Sequence, residues 1–297
     1  MDKKGIIVKM EKGKVAFHTL GCKVNQYETN GMIQKFIQAG YAIVPFTEIA
    51  DIYIINTCTV TNMSDRKTRQ YFRRAKKINP TAIIVAVGCY AQVKKEKLQE
   101  IPEIDLILGT NEKSNIVVYV EQYLNQKSKN KVISDVMQER EFSDFGNVTY
   151  TENARATIKI QDGCDRFCTY CIIPYARGRI RSRKQENVIE EIQELTKKGI
   201  KEVVITGIHI ASYGKDWNEK DALIELLEKI NTIKGIERIR LGSLEPTLIT
   251  EEWVKRLKKL EKICDHFHLS MQSGCDETLK RMNRRYTVEN MLQSIEI

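Results

Sequence analysis

Three cysteines in the second half of the chain are spaced as ligands of one metal centre. Cys164, Cys168 and Cys171 form C-x₃-C-x₂-C in a loop that directly follows a predicted strand. Three thiolates in one short loop can each bind a different iron of a cubane [4Fe–4S] cluster, and the fourth iron then stays open. An open iron can bind a chelating small molecule, whereas four cysteine ligands would favour simple electron transfer.

Two other interpretations of this loop remain open. Zinc prefers four ligands, and no fourth Cys or His follows Cys171 at the spacing of a zinc knuckle. Structural thiols are the second alternative, although cysteines are seldom clustered without metal or redox chemistry. The [4Fe–4S] cluster is the interpretation that the spacing favours.

A second set of three cysteines is dispersed over the first half of the chain. Cys22, Cys58 and Cys89 each follow a predicted strand. Because the carboxyl ends of parallel strands share one edge of a sheet, these thiols are expected to converge there. Gly21 and Gly88 beside them permit close backbone approach to a cluster. The alternative, three small apolar residues at strand ends, would not require the same topological position for all three.

Strands and helices alternate around the dispersed cysteines. This alternation predicts a doubly wound parallel sheet with helices on both faces. The predicted strands are 15–20, 51–57, 82–88 and 106–108, and the predicted helices are 27–38, 65–78, 92–99 and 112–124.

A polar, poorly periodic stretch follows and is interpreted as a linker. A second alternation then predicts four βα units, which form part of a (β/α) barrel. The predicted strands are 156–161, 202–206, 238–242 and 266–271, and the predicted helices are 185–198, 221–231, 251–260 and 288–297. The predicted α/β architecture therefore has an N-terminal domain at 1–125, a linker at 126–153 and a partial barrel at 154–297.

Composition is typical of a soluble globular protein. The chain has 297 residues, of which 42% are hydrophobic and 29% charged, enough for about two domains. No apolar run approaches the roughly 18 residues of a spanning helix, and 1–15 lacks a signal-peptide core. A cytoplasmic protein without a membrane partner is expected, and its eight cysteines favour metal or redox chemistry over a disulfide framework.

Basic residues outnumber acidic residues by 48 to 39, which gives a net charge of +9. Two acid-free stretches concentrate this charge, and together they favour a nucleic acid partner whose phosphates they would contact. For one basic helix alone, a solvated surface remains the simpler explanation. The stretches contain Arg66, Lys67, Arg69, Arg73, Arg74, Lys76 and Lys77, and then Arg177, Arg179, Arg181, Arg183 and Lys184.

With Tyr170 in its aromatic position, the loop around Cys164 resembles the signature of the radical S-adenosylmethionine (SAM) superfamily. Two three-cysteine sets on two α/β domains, in this order, resemble the methylthiotransferases of that superfamily. Further matches are Gly178, Ser-Leu-Glu-Pro at 243–246 and His-Leu-Ser-Met-Gln-Ser-Gly at 268–274. The stretches 19–28 and 56–62 are most similar to the subgroup that acts on threonylcarbamoyladenosine beside the tRNA anticodon.

The resemblance implies two [4Fe–4S] clusters, SAM bound to the open iron, and Tyr170 near the adenine of SAM. Candidate SAM contacts follow the strands of the second domain, and structural polar residues are the alternative for each of them. We expect no catalytic residues beyond the cluster ligands. His209 and His268 are expected to be structural, and Cys264 and Cys275 to be non-ligands in or near the core. The candidate SAM contacts are Gly207, Ser243, Glu245 and Gln272.

The implied reaction replaces an adenine C–H bond by C–S–CH₃, which requires a cofactor that supplies a radical. One cluster would cleave SAM, the other would supply sulfur, and a second SAM would provide the methyl group. The implied partners are a tRNA anticodon stem-loop and an electron donor such as flavodoxin or ferredoxin. Alternative functions are methylthiolation of isopentenyladenosine in tRNA or of a ribosomal-protein aspartate, two-cluster electron transfer, and zinc-dependent tRNA binding.

Complete members of this family continue beyond the length of this sequence. By resemblance, they add two barrel strands and a small C-terminal β-barrel that binds RNA. The sequence is therefore expected to be C-terminally incomplete, to lack that β-barrel, and to turn over slowly or not at all.

Overall fold

The computed structural model describes residues 12–59, 62–126, 130–151 and 153–297, without the side chains of 62–67 and 130. Contacts divide the chain into two units. Unit 1 comprises the residues up to Gly21 together with Thr29–Ile133, and unit 2 comprises Cys22–Glu28 together with Ser134–Ile297.

Unit 1 is built on a parallel sheet of six strands in the order β2-β1-β3-β4-β5-β6. The central strands are almost continuous apolar runs and are buried, as expected for a sheet covered on both faces. The doubly wound sheet predicted from the sequence is thereby confirmed. The strands are β1 (Lys14–Thr19), β2 (Ala42–Val44), β3 (Ile52–Thr57), β4 (Ile83–Gly88), β5 (Leu106–Leu108) and β6 (Asn130–Val132).

Within the described residues, five helices connect the strands of this sheet, and the first of them belongs to unit 2 as far as Glu28. The predicted helix at 92–99 is two short helices, and a 3-10 turn at Glu112–Asn115 precedes the last one. The three-residue strands β2 and β6 were not predicted, although β5, which is equally short, was. The helices are α1 (Lys23–Gln38), α2 (Asn62–Ile78), α3 (Cys89–Val93), α4 (Lys95–Gln99) and α5 (Ile116–Gln126).

Unit 2 contains a four-stranded sheet in the order β10-β9-β7-β8. The first three strands of this order are parallel, and β8 pairs antiparallel with β7 at the edge. The strands are β7 (Arg155–Asp162), β8 (Arg181–Ser182), β9 (Glu202–Gly207) and β10 (Arg238–Leu241). The helices are α6 (Ile173–Arg177), α7 (Gln185–Lys197), α8 (Ala222–Asn231), α9 (Glu251–Leu257), α10 (Asp276–Arg281) and α11 (Val288–Glu296).

The core of unit 2 lies between this sheet and its helices. Ile158 and Ile205 of the sheet pack with Ile192 of α7 and Leu227 of α8, and all four are fully buried. The apolar residues of α7 and α8 recur at helical spacing, so each helix has one face for the sheet.

The predicted strand at 266–271 is wrong. The described chain forms only isolated bridges there, between Ile239 and Ile263 and between Leu244 and Leu269. The amide of His266 donates to the carbonyl of Cys264, and the amide of Met271 to that of Leu269. Such three-residue turns use amides that a continuous ladder would need. Unit 2 therefore has three parallel strands in its described residues, not four.

Among the helices that the structure describes, none combines the length and the apolar composition that a membrane-spanning segment requires.

Candidate functional site

The cysteine loop, residues 163–172, joins the end of β7 to α6. Its ends are fixed by backbone contacts, because the amide of Cys164 donates to the carbonyl of Gly178 at 3.0 Å. Gly163 and Gly178 have φ angles of +72° and +74°. A Cβ on Gly163 would overlap the carbonyl oxygen of Arg179, and one on Gly178 that of Val136. Only glycine fits these two positions, so the loop closes tightly at both ends.

The three thiols of this loop lie close enough to influence one another. Burial, with a smaller contribution from the neighbouring Cys171 and Cys168, raises the pKa of Cys164 to about 11. Burial also raises the pKa of Cys171, with a further increase from Cys168. A cluster requires thiolates, so its binding would release protons from this loop. Three converging, partly buried thiols fit the ligand set of a [4Fe–4S] cluster.

No group of three His, Cys, Asp or Glu side chains is arranged around a single metal ion within the described ranges. The cysteines of a cubane cluster bind different irons, so a cluster does not require that arrangement. None of the eight cysteines, which all lie in the part that the structure describes, forms a disulfide.

A short segment after α10 holds the cysteine loop from outside. The side-chain amide of Asn283 donates to the carbonyls of Arg166, at 3.3 Å, and Phe167, at 3.1 Å. The hydroxyl of Thr169 donates to the carbonyl of Arg281 at 3.1 Å. Asn283 and Phe167 both have positive φ angles, which such contacts help to maintain. This segment was not predicted from the sequence, although the run Asn-Arg-Arg just before the predicted helix at 288–297 was a signal for it.

Two of the predicted SAM contacts meet at this segment. The hydroxyl of Tyr170 donates to Gln272 Oε1 at 3.2 Å and accepts from Arg284 Nη2 at 2.6 Å. Tyr170 is 53% exposed, so its ring is available to a ligand. Arg284 was not predicted from the sequence.

Glu245 lies at the centre of a buried polar cluster. It forms an ion pair with Arg166 of the cysteine loop and lies 3.2 Å from His209 Nε2. Arg284 Nη1 is 3.9 Å from its other oxygen. Burial alone raises the pKa of Glu245, but the contact with His209 and the charge of Arg166 outweigh it and lower the pKa to about 2. Glu245 thereby links the loop to the end of β10.

The remaining candidates lie around this cluster. A Cβ on Gly207 would lie 3.0 Å from Gln161, whose side-chain oxygen accepts from the amide of His209 at 2.7 Å. Ser243 and His268 are exposed. The structure thus brings Tyr170, Gln272 and Glu245 together around Arg284, and their contact with SAM remains a prediction.

The strand-end cysteines, Cys22, Cys58 and Cys89, follow the adjacent strands β1, β3 and β4. Thr57 is paired with Gly88, so Cys58 and Cys89 each directly follow one residue of the same cross-strand pair. Thr19 is paired with Asn56, and Cys22 follows a short turn later. Cys58 and Cys89 are buried, whereas Cys22 is exposed. The strand order reverses between β1 and β3, which is where open α/β sheets bind ligands.

The expectation that the stretch 177–184 contacts phosphates is wrong for three of its arginines. Arg177, Arg181 and Arg183 are at most 1% exposed and contact buried acids. Arg179 is the exception, with its side chain 45% exposed beside Asp165. These acids lie elsewhere in the chain, and the local sequence therefore hid the pairing.

The helix α2 retains an exposed basic surface. Arg69, Arg73, Arg74 and Lys77 are exposed, while Lys76 is partly buried against Asp105. The side chains of Arg66 and Lys67 lie outside the described residues.

The two remaining cysteines differ from each other. Cys264 is partly buried, but Cys275 is exposed at the start of α10, so its expected place near the core is wrong.

Two protein-family models match the chain. Residues 14–109 match the uncharacterized protein family UPF0004, and residues 158–297 match the radical SAM superfamily. The threonylcarbamoyladenosine tRNA methylthiotransferase MtaB of Aquifex aeolicus (strain VF5) is 45% identical over 276 residues, which cover 93% of this chain and 67% of the relative. The chain belongs to the radical SAM methylthiotransferase family.

Other methylthiotransferases are also similar. MtaB of Bacillus subtilis (strain 168) is 44% identical, and the match covers 93% of this chain and 61% of that relative. The tRNA-2-methylthio-N(6)-dimethylallyladenosine synthase of Clostridium botulinum (strain Okra / Type B1) is 35% identical, and the match covers 95% of this chain and 64% of that relative. The chain thus spans roughly two thirds of the length of these relatives.

A solved structure confirms the fold class. The radical SAM methyltransferase TsrM of Kitasatospora setae, with tryptophan and a SAM analogue bound, superposes with a TM-score of 0.66 at 14% identity. The match covers 95% of this chain and 65% of TsrM. At this identity the likeness concerns the fold alone.

Proposed function

We propose that this methylthiotransferase converts N6-threonylcarbamoyladenosine beside the tRNA anticodon to its 2-methylthio derivative. The observation that carries the proposal is the cysteine loop, whose three thiols lie close enough to influence one another. The chain that contains this loop is 44–45% identical to two MtaB proteins. The relatives named for dimethylallyladenosine are 34–35% identical, so the threonylcarbamoyl substrate is favoured.

The cofactors of this family are SAM and [4Fe–4S] clusters. In this chain, Cys164, Cys168 and Cys171 would hold one cluster, and Cys22, Cys58 and Cys89 the other. When bound, the cluster on the cysteine loop would supply the electron for reductive cleavage of SAM, and the cluster on Cys22, Cys58 and Cys89 would supply the sulfur that replaces the adenine hydrogen.

The protein's own residues bind and orient the reactants. The amide of Asn283 and the glycines at both ends of the cysteine loop hold the three thiols in place. Tyr170 offers an exposed ring for the adenine of SAM, and Arg284 and Gln272 fix its hydroxyl. Glu245 fixes Arg166 within the loop, so the charge beside the cluster ligands does not move. Such prior orientation is what accelerates reactions between bound groups.

The natural partners follow from this reaction. The substrate would be an anticodon stem-loop, the electron would come from a small redox protein such as flavodoxin or ferredoxin, and the reaction would take place in the cytoplasm. The exposed basic face of α2 supports RNA binding, because arginines on one helix face can contact successive phosphates.

Nucleoside mass spectrometry tests the proposal. A strain that lacks the gene is expected to lose 2-methylthio-threonylcarbamoyladenosine from its tRNA and to regain it when this chain, or a longer form that contains it, is supplied. Restoration of the methylthio group on isopentenyladenosine, or on a ribosomal-protein aspartate, would instead assign one of the two alternative substrates.

A further inference from the structure

The segment that carries Cys22 is anchored in unit 2 by buried charges. Asn25 and Glu28, in the first turns of α1, are each 1% exposed. Glu28 accepts hydrogen bonds from Lys159 Nζ at 2.7 Å and from Arg177 Nη2 at 3.1 Å, and its first oxygen also contacts Arg177 Nη1. Arg177 Nη2 donates in addition to Asn25 Oδ1 at 2.6 Å. The guanidinium therefore holds two residues of this segment at once.

Both cations belong to the frame of the cysteine loop. Lys159 lies in β7, which leads into the loop, and Arg177 ends α6, which follows the loop. Asp162, the last residue of β7, accepts from Lys159 Nζ at 2.5 Å and from Arg177 Nη1 at 3.3 Å. We call Glu28, Lys159, Asp162 and Arg177 the buried ion network. It joins the Cys22 segment to both ends of the cysteine loop.

Stability alone does not explain such a network. Burying an ion carries a large desolvation penalty, and apolar residues of similar volume often give an equal or greater stability. Charged groups differ from apolar ones in their directionality, because a guanidinium that donates two parallel hydrogen bonds binds a carboxylate in one geometry. A network of this kind fixes orientation, and its burial keeps salt from weakening it.

We propose that the buried ion network positions Cys22 relative to the cysteine loop, so that the sulfur source and the radical source meet the same adenine carbon. This inference rests on the proposed function, in which Cys22 is a ligand of the sulfur-supplying cluster. Glu28, Lys159, Asp162 and Arg177 are positioning residues, since they act through Cys22 and through the loop.

The test uses Glu28→Gln, which keeps the size of the side chain but removes its charge. The quantity measured is the product ratio, that is, the amount of 5′-deoxyadenosine formed per methylthiolated nucleoside. We expect SAM cleavage and iron content to stay within about threefold of the wild type. We expect 5′-deoxyadenosine formed per methylthiolated nucleoside to rise by about tenfold or more, since a displacement of about 1 Å can cost a hundredfold. Hydrogen exchange of the amides in Cys22–Glu28 should become faster in the metal-free variant.

Two further variants separate positioning from general stability. Arg177→Lys keeps the charge but loses the bidentate contact, so its product ratio should lie between those of the wild type and Glu28→Gln. Asp216→Ala is the matched control, because it removes the bonds that Asp216 accepts from the amide and hydroxyl of Ser182, at 2.8 and 2.6 Å, in the same unit. It should lower the melting temperature while the product ratio stays at the wild-type value.

Three outcomes would overturn the inference. The first is an unchanged ratio in both Glu28→Gln and Arg177→Lys, and the second is an equal rise in Asp216→Ala. The third is unchanged hydrogen exchange of the Cys22 segment in Glu28→Gln. A longer form of the chain, with wild-type residues, that cleaves SAM in the presence of tRNA but forms no methylthiolated nucleoside would instead overturn the proposed function, and the inference with it.

Discussion

Cys164, Cys168 and Cys171 occupy one loop, whereas Cys22, Cys58 and Cys89 follow three different strands of a sheet. The loop is closed at its ends by two glycines with positive φ, and it is also held by the side-chain amide of Asn283, which is 117 residues from Arg166 in the sequence. The strand-end cysteines depend instead on the register of β1, β3 and β4. A local ligand set can form as soon as its loop closes, but a dispersed set requires the folded sheet.

The largest effect is expected from single cysteines of the loop. Cys164→Ala, Cys168→Ala or Cys171→Ala leaves one iron without its thiolate, so reductive cleavage of SAM should fall to the background of the assay. The cleavage is measured as 5′-deoxyadenosine released under anaerobic conditions. Persistent cleavage in any one variant would remove that cysteine from the ligand set.

The strand-end cysteines should behave differently. With Cys22, Cys58 and Cys89 all changed to Ala, bound iron should fall by about half, methylthiolation should vanish and SAM cleavage should remain, because radical formation depends on the other set. Iron and sulfide analysis together with both product assays measures this. Loss of both activities, with normal iron at the loop, would contradict the separation of roles.

Substitution of glycines tests how much close backbone packing contributes to stability at the cysteine loop and at the strand-end cysteines. Gly178→Ala in the loop and Gly88→Ala before Cys89 would each place a Cβ against backbone oxygen, the second at 2.7 Å from the carbonyl of Thr57. Each should lower the free energy of unfolding by about 3 kcal/mol or more, from strain and overlap together. Gly199→Ala is the control, since its φ is +84° but nothing lies within 4 Å.

The control separates conformation from contact. Gly199→Ala should cost only about 1–2 kcal/mol in urea unfolding, the usual penalty of a left-handed residue. An equal loss in all three variants would mean that the close approaches at Gly88 and Gly178 contribute nothing.

The charges around Glu245 should show in the pH dependence of stability. The pKa of this carboxyl is lowered to about 2 in the folded protein by His209 and Arg166, against the tendency of burial. The stability that it confers is therefore complete above the unfolded pKa, about 4.5, and is lost as the pH falls through about 2. Between pH 6 and pH 3 this amounts to about 2 kcal/mol.

Glu245→Gln isolates this contribution. Urea unfolding at pH 6 and pH 3 should show that the variant loses about 2 kcal/mol less than the wild type over this interval. Equal losses in both proteins would assign the pH dependence to other carboxyls.

The smallest effect concerns the two basic stretches, 66–77 and 177–184. Exchange of Arg69, Arg73 and Arg74 for Glu should weaken tRNA binding about tenfold at moderate salt and flatten its salt dependence, because fewer counterions are released. Arg181→Met should leave the salt slope unchanged, since that side chain is buried. If Arg181→Met changed the salt slope and the exchange of Arg69, Arg73 and Arg74 did not, RNA contact would be assigned to the stretch 177–184.

Much of the fold and site could be predicted from the sequence. Buried strands such as β3 and β4 are continuous apolar runs, and the spacing of Cys164, Cys168 and Cys171 indicates a cluster because a loop imposes local geometry. The three-residue strand β2 and the irregular segment at 266–271 could not be predicted, since their form depends on neighbouring backbone and not on their own periodicity.

The charged residues show the same limit more clearly. Arg177, Arg181 and Arg183 stand in an acid-free stretch, so the sequence predicts an exposed basic surface. Their partners Glu28, Asp162, Asp144 and Glu191 come from four other places in the chain. Arg284 and Asn283, which hold Tyr170 and the cysteine loop, were missed for the same reason.

The edge strand β8 has a consequence for self-association. It has two residues and pairs antiparallel with the end of β7, while its side chains are buried. A row of unpaired amides and carbonyls on a long edge strand invites another chain to extend the sheet. A strand as short as Arg181–Ser182 offers almost no such row, and the amide of Ser182 is already bonded to Asp216. On this side, the sheet is protected against edge-to-edge aggregation by the brevity of its last strand.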